Sequence, residues 1–209
     1  MSALSRSSLR RKLQEGQLVV SPLLADAQIG ASSIDLRMGT VALMGRAGSQ
    51  SHVEPGAYAH VGGHESILLR EQKHERFDIP FGASFLLHPG SLVLVPTLEW
   101  VKLPPNLQGV VTARSSWARE GLNIATATII NPGYQGIVTL ELANFGEIPI
   151  SLSPGLRVAQ LALYELVCAD PDADRSGLGG QFDMSFEPRA GNIAKDDEVF
   201  VSKRAKGKP

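Results

Sequence analysis

The chain has 209 residues, 43% hydrophobic and 20% charged, with 20 basic and 21 acidic side chains and a formal net charge of −1. That length suits one globular domain able to bury its own core, and the balanced charge leaves no electrostatic footprint for duplex nucleic acid or an anionic membrane, so neither is expected as a partner. No apolar run approaches the roughly 18 residues of a membrane span and no signal-type stretch follows Arg6, Arg10, Arg11 and Lys12, so a cytoplasmic location is expected.

Ser5–Glu15 reads as a short helix: Leu9 and Leu13 fall on one face, Ser5 or Ser7 supplies the cap and Gly16 the stop. Beyond Gly16, 13 prolines and 21 glycines across the chain help to divide it into short apolar runs. These are Leu18–Val20, Ile34–Met38, Val41–Met44, Ser66–Leu69, Ala83–Leu87, Leu92–Val95, Val101–Leu103, Val110–Thr112, Asn123–Ile130, Ile137–Leu142, Ile148–Leu152, Arg157–Leu163 and Tyr164–Val167. So many short strands with regular turn signals predict an all-β barrel, sandwich or jelly roll. Gly45–Gly63, rich in Gly, Ser and His, reads as a long surface loop. Cys168, the one cysteine, follows Leu161–Val167 and reads as a core thiol with no intrachain disulfide to form, which fits a reducing compartment. From Asp170 the chain turns polar, so a tail over 170–209 is expected to order only on contact, after a single β domain over 1–169.

Metal signals are poor. His52, His60, His64, His74 and His88 make no HExxH pattern and there is no CxxC, so no zinc site is expected. The His-or-Cys–Glu plus PCxxC set by which zinc enzymes act on nucleobases is also missing. So are a Walker A loop, a GxGxxG turn and a GxSxG elbow.

Two stretches are dense in chemistry. In Ala113–Gly121 (ARSSWAREG) two arginines flank two serines between apolar runs. Hydroxyls and backbone amides at a strand end bind phosphate oxygens and arginine adds a bidentate fork, although an exposed turn with solvated arginines has the same spelling. In Ile130–Asn144 the turn signal Asn131–Pro132–Gly133 precedes a strand, Ile137–Leu142. Alternation there puts Thr139 and Glu141 on one face, with Leu140 and Leu142 on the other. Lining a pocket, Glu141 is a usable proton shuttle near neutral pH; facing water, it is an ordinary surface carboxylate.

Taken in order, GASSIDLRMG (30–39), HPGSLVLVPTLEWVKLP (88–104), ARSSWAREGL (113–122), INPGYQGIVTLELAN (130–144) and LSPGLRVAQL (152–161) resemble the dCTP deaminase branch of the trimeric dUTPase-like superfamily, over roughly Leu18 to Leu166. The resemblance implies a distorted jelly roll or β-barrel forming a homotrimer, with active sites between subunits. It implies that Arg114, Ser115 and Ser116 hold a triphosphate while Ser115 and Arg119 support the reacting base. Trp117 and Ala118 belong to the same motif. Glu141 would shuttle protons as water attacks C4 of cytosine, turning dCTP into dUTP and ammonia for deoxyuridine and thymidine nucleotide synthesis. Ala127 would read the base through its backbone, Asn131 would meet the deoxyribose, and Thr139, Leu140 and Gln160 would contact the nucleotide. Gln181 would belong to a closing tail. Magnesium would travel with the triphosphate and no zinc would be needed.

The chain also departs from the pattern. Asn131 stands where the family has Asp: its amide oxygen accepts a hydrogen bond from a 3′-hydroxyl, but it cannot serve as a base. That argues against dUTP pyrophosphatase activity, alone or in a bifunctional enzyme. Ile129 stands where many deaminases carry Arg, a residue is missing between Leu122 and Ala127, and Asp170–Gly180 lacks the family's Tyr and Lys. These departures keep a third reading in view, a non-catalytic nucleotide-binding regulatory trimer.

Overall fold

The structure, a computed structural model, describes residues 2–46, 51–53, 73–125, 128–167, 184–188 and 191. The expected strand Ser66–Leu69, Cys168, Ala127, Gln181, most of the loop expected over 45–63 and nearly all of the polar tail lie outside the described residues.

Helix α1 (Arg6–Gln14) forms as its sequence predicts. Ser5 caps it by accepting the Ser8 N–H at 3.4 Å, Leu9 is fully buried, and Gly16 leaves the helix at φ +70°. The strands are β1 (Ser2–Ala3), β2 (Val19–Ser21), β3 (Ser33–Arg37), β4 (Val41–Gly45), β5 (His74–Asp78), β6 (Phe85–Leu87), β7 (Leu92–Lys102), β8 (Leu107–Ala113), β9 (Leu122–Ile124), β10 (Ile129–Ile130), β11 (Gln135–Asn144), β12 (Ile150–Leu152) and β13 (Arg157–Glu165). A second helix, α2 (Ser115–Arg119), sits between β8 and β9.

The strands make a five-stranded, a six-stranded and a two-stranded sheet, all antiparallel. In the first, β13 lies between β8 and an edge shared by β3 and β1, and β10 extends the far side of β8. In the second the order is β5-β4-β7-β11-β9, with β2 sharing the β4 edge of β7. The smallest pairs β12 with β6. Alternation turns Ile34, Leu36, Ala159, Leu161 and Leu163 of the first sheet and Val93, Val95, Val101, Leu140 and Leu142 of the second into one core. Each such Val, Leu or Ile side chain contributes roughly 1.5–3 kcal/mol on burial.

The fold is thus all-β with a short N-terminal helix. Several boundaries differ from the sequence expectation. Leu92–Val95 and most of Val101–Leu103 are parts of one strand, Leu92–Lys102, because Pro96 does not break β7. Its carbonyl accepts the Gly39 N–H at 2.7 Å, and the N and C=O of a strand residue share a side. The missing N–H therefore faces the stretch between the β4 and β2 ladders, where only an isolated bridge, Met38–Thr97, spans the gap. Gly39 permits this approach, since a Cβ there would lie 2.8 Å from the Pro96 side chain.

Asn123–Ile130 is divided between two sheets as β9 and β10. The charged strand β5 was not anticipated, because it is an edge strand with largely exposed side chains and so shows little apolar patterning.

The described piece of the tail docks on the second sheet. Met184 donates its N–H to the Gln135 carbonyl and Ser185 accepts the Ile137 N–H, at 2.7 and 3.0 Å. Glu187 pairs with Arg76 of β5 at 2.9 Å. Among the described residues no helix is long and apolar enough to cross a membrane.

Candidate nucleotide site

Strand β8 hands over to α2 at Arg114. That residue is extended (φ −70°, ψ 140°), and its N–H continues the ladder by donating to the Val158 carbonyl at 3.1 Å. Its carbonyl then accepts the Ala118 N–H at 3.0 Å and starts the helical turn. The turn is one-sided. Trp117 packs against the core and donates its indole N–H to the Arg157 carbonyl at 2.9 Å, while Ser115, Ser116, Ala118 and Arg119 are exposed. Gly121 closes the turn at φ +92°, and a Cβ on it would stand 2.6 Å from the Gly146 nitrogen.

The turn adjoins the polar face of the five-stranded sheet. Strand register puts Gln160 of β13 between Asp35 of β3 and Thr112 of β8, and its side-chain amide donates to the Thr112 hydroxyl at 3.1 Å. Arg114 and Arg157 both donate to the same oxygen, Oδ2 of Asp35, at 2.8 and 3.1 Å. The structure places Arg114 against Asp35, the register partner of Gln160. It adds Asp35 and Arg157, which carried no assigned role in the sequence. The available signal was the alternation in Ser33–Arg37: Ile34 and Leu36 face the core, so Asp35 must face the other way.

Behind Asp35 lies a buried polar cluster that the sequence analysis missed. Gln28 and Glu99 are both fully buried. The Glu99 carboxylate accepts the Gln28 side-chain amide at 3.0 Å and the Arg37 backbone N–H at 2.8 Å. The same Gln28 nitrogen donates to the Asp35 carbonyl at 3.2 Å, and the Gln28 oxygen accepts the Leu24 and Ala25 N–H groups at 2.8 and 3.3 Å. Burial pushes the Glu99 carboxyl above its usual 4.5, opposed by these donors.

Glu141 stands on the other sheet. It lies across from Leu94 of β7, and its carbonyl accepts the Ala125 N–H at 2.7 Å. The alternation is as predicted: Leu140 and Leu142 are buried, while Thr139 and Glu141 share a half-buried face. Leu140, expected to meet a nucleotide, has its side chain in the core. Asn131 is exposed in the turn after β10, where its carbonyl accepts the Tyr134 N–H at 3.2 Å. Among the described residues, no three His, Cys, Asp or Glu side chains gather as a metal-binding group.

Residues 3–166 match the family model described as dCTP deaminase-like. A dCTP deaminase from Halorubrum lacusprofundi is 37% identical, the match covering 93% of each chain. A relative named dCTP deaminase, dUMP-forming, from Methanobrevibacter smithii is 33% identical, covering 95% of this chain and 99% of its own. Among solved structures, a 2′-deoxycytidine 5′-triphosphate deaminase from Agrobacterium tumefaciens superposes with a TM-score of 0.58 at 23% identity. That match covers 77% of this chain and 47% of the other, so this chain spans about half of that one's length. With a family model spanning most of the chain and relatives above 30% identity along nearly all of it, the chain belongs to the dCTP deaminase-like family.

Proposed function

We propose that this protein deaminates dCTP hydrolytically to dUTP and ammonia, as a cytoplasmic homotrimer in which the Arg114–Arg119 turn of one subunit meets Glu141 of a neighbour. The observation that carries the reading is the position of Glu141: a half-buried carboxylate between two core leucines on a strand of the family's own motif. A carboxylate shielded in this way can take a proton from water without being lost to bulk solvent.

In this reading Arg114, Ser115 and Ser116 hold the triphosphate, with Trp117 and Ala118 completing the turn. The Arg114 guanidinium offers a fork for phosphate oxygens and the exposed hydroxyls donate beside it. Asn131 accepts from the deoxyribose 3′-hydroxyl, Gln160, Thr139 and the Leu140 backbone line the nucleotide, Ala127 reads the base, and Gln181 closes over the phosphates.

Glu141 removes a proton from water as the oxygen bonds to C4 of cytosine. The proton passes to N3, and a second goes to the exocyclic nitrogen as the C4–N bond breaks, so water and dCTP leave as ammonia and dUTP. Arg119 and Ser115 orient the base and stabilise charge at the tetrahedral carbon. No metal takes part in this step. Magnesium, a hard ion that keeps several waters and prefers phosphate oxygens, is bound chiefly by the substrate's own triphosphate.

A second reading, a dUMP-forming enzyme that also hydrolyses the triphosphate, is favoured by the relatives of that name and opposed by Asn131, which offers no base. Incubation with dCTP or dUTP and magnesium, following ammonia and pyrophosphate independently, separates the readings. Ammonia alone supports deamination. Both products from dCTP support the dUMP-forming reading, and pyrophosphate from dUTP alone supports a pyrophosphatase. Binding without either product leaves a non-catalytic regulatory trimer.

A further inference from the structure

We infer that Asp35 is a positioning residue for the triphosphate: it fixes the Arg114 guanidinium through an ion pair shared with Arg157, and is itself fixed by the buried pair Gln28–Glu99. The inference rests on the reading of Arg114 as a phosphate ligand.

The geometry carries it in two steps. A long arginine side chain loses rotamer freedom when it meets a phosphate, and prior restraint lowers that cost. One Arg114 nitrogen, Nη1, is engaged with Asp35 Oδ2 at 2.8 Å. A guanidinium has five N–H donors, and no other side-chain donor of Arg114 is bonded among the described residues. The ion pair thus orients the group and leaves donors for a bidentate contact. Two guanidiniums on one carboxylate also leave one formal positive charge at this edge of the sheet, suited to an anion.

The second step is the support of Asp35 itself. Strand β3 pairs with β13 along one edge only. On its other edge the Asp35 carbonyl and the Arg37 N–H are met by side chains, Gln28 and Glu99, in place of a strand. Edge groups left to water would let the strand shift. Here a buried amide and a buried carboxylate hold the two backbone groups that follow the Asp35 side chain, which is only 14% exposed.

A double-mutant cycle tests the assignment. Asp35→Asn in the wild-type background should raise KM for magnesium–dCTP about tenfold and leave kcat within about threefold, since ground-state phosphate binding is what it disturbs. In an Arg114→Met background the same change should alter KM by less than about twofold, because the partner through which Asp35 acts is gone. An equal rise in both backgrounds, or none in either, overturns the inference.

The side-chain 15N–1H signal of Arg114 Nε, assigned by its disappearance in Arg114→Met, gives a readout that needs no nucleotide. It should move and broaden in Asp35→Asn, and an unchanged signal overturns the inference even if activity falls. Thermal melts of each variant separate a lost fold from a lost orientation. If the wild-type protein binds dCTP without releasing ammonia, the deaminase reading fails, while the cycle is still read from dissociation constants.

Discussion

The indole nitrogen of Trp117 and the backbone carbonyl of Arg157, 2.9 Å apart, tie the α2 turn to the first residue of β13. Ser115, Ser116 and Arg119 ride on that turn, so the Trp117 packing and this hydrogen bond help to set its orientation, beside the Arg114 N–H bonded to the Val158 carbonyl. Trp117→Phe keeps the apolar contact and removes the bond. The expected loss is about 1 kcal/mol, a fall in Tm of roughly 2–4 °C for a chain of this size, accompanied by a higher KM for dCTP. Calorimetry with steady-state ammonia release checks both. A full-strength Tm and KM in that variant would show that packing alone sets the turn.

Glu141 is assigned the proton transfers and little else. Glu141→Gln keeps shape and removes the shuttle, so ammonia release should become undetectable while nucleotide affinity stays within about tenfold. Titration calorimetry against dCTP, paired with an ammonia assay, reads the two quantities separately. Turnover retained in the variant would refute the role.

In the proposed reading Asn131 offers an acceptor to the sugar and no base. Asn131→Asp restores the carboxylate of the family pattern at an exposed turn position, where a new charge costs little. Deamination should survive, and pyrophosphate release from dUTP should appear or increase. Loss of all nucleotide binding would show that the turn lies elsewhere than at the sugar.

Local sequence rules reached as far as local physics does. The α1 cap, the stop at Gly16 and the inward-outward alternation through Thr139–Leu142 are set by neighbours in the chain, and each is present as read. Pro96 misled because its cost depends on which edge of β7 lacks a ladder, a fact of topology. Strand β5 was hidden because pairing with β4, rather than an apolar pattern, makes it a strand.

The same limit applied at the site. The Arg-Ser-Ser turn and Glu141 stood out as motifs, but Asp35 acquires a role only when β3 and β8 flank the same strand, β13. Gln28 and Glu99 lie 71 residues apart and meet in the core, beyond the reach of any local pattern.

Glu99 gives a prediction in pH. Both of its oxygens accept N–H donors, yet burial outweighs them and its folded pKa stands above the usual 4.5. Between that value and the raised one, the folded state holds more protons than the unfolded state. Stability from this group is therefore greatest below about pH 4.5 and declines as pH rises through the folded pKa. Glu99→Gln should cost about 1–3 kcal/mol at the high end of the pH range, because its amide nitrogen turns a donor toward a donor. It also removes the pH-dependent part. The stability gap between wild type and Glu99→Gln should then be widest near pH 4 and narrow toward pH 8, as judged by denaturant unfolding across that range. Every other titrating group cancels in the difference. A gap that stays constant would mean that the Glu99 proton is held equally well in the folded and unfolded chain, and a gap that widens with pH would mean that its donors outweigh burial.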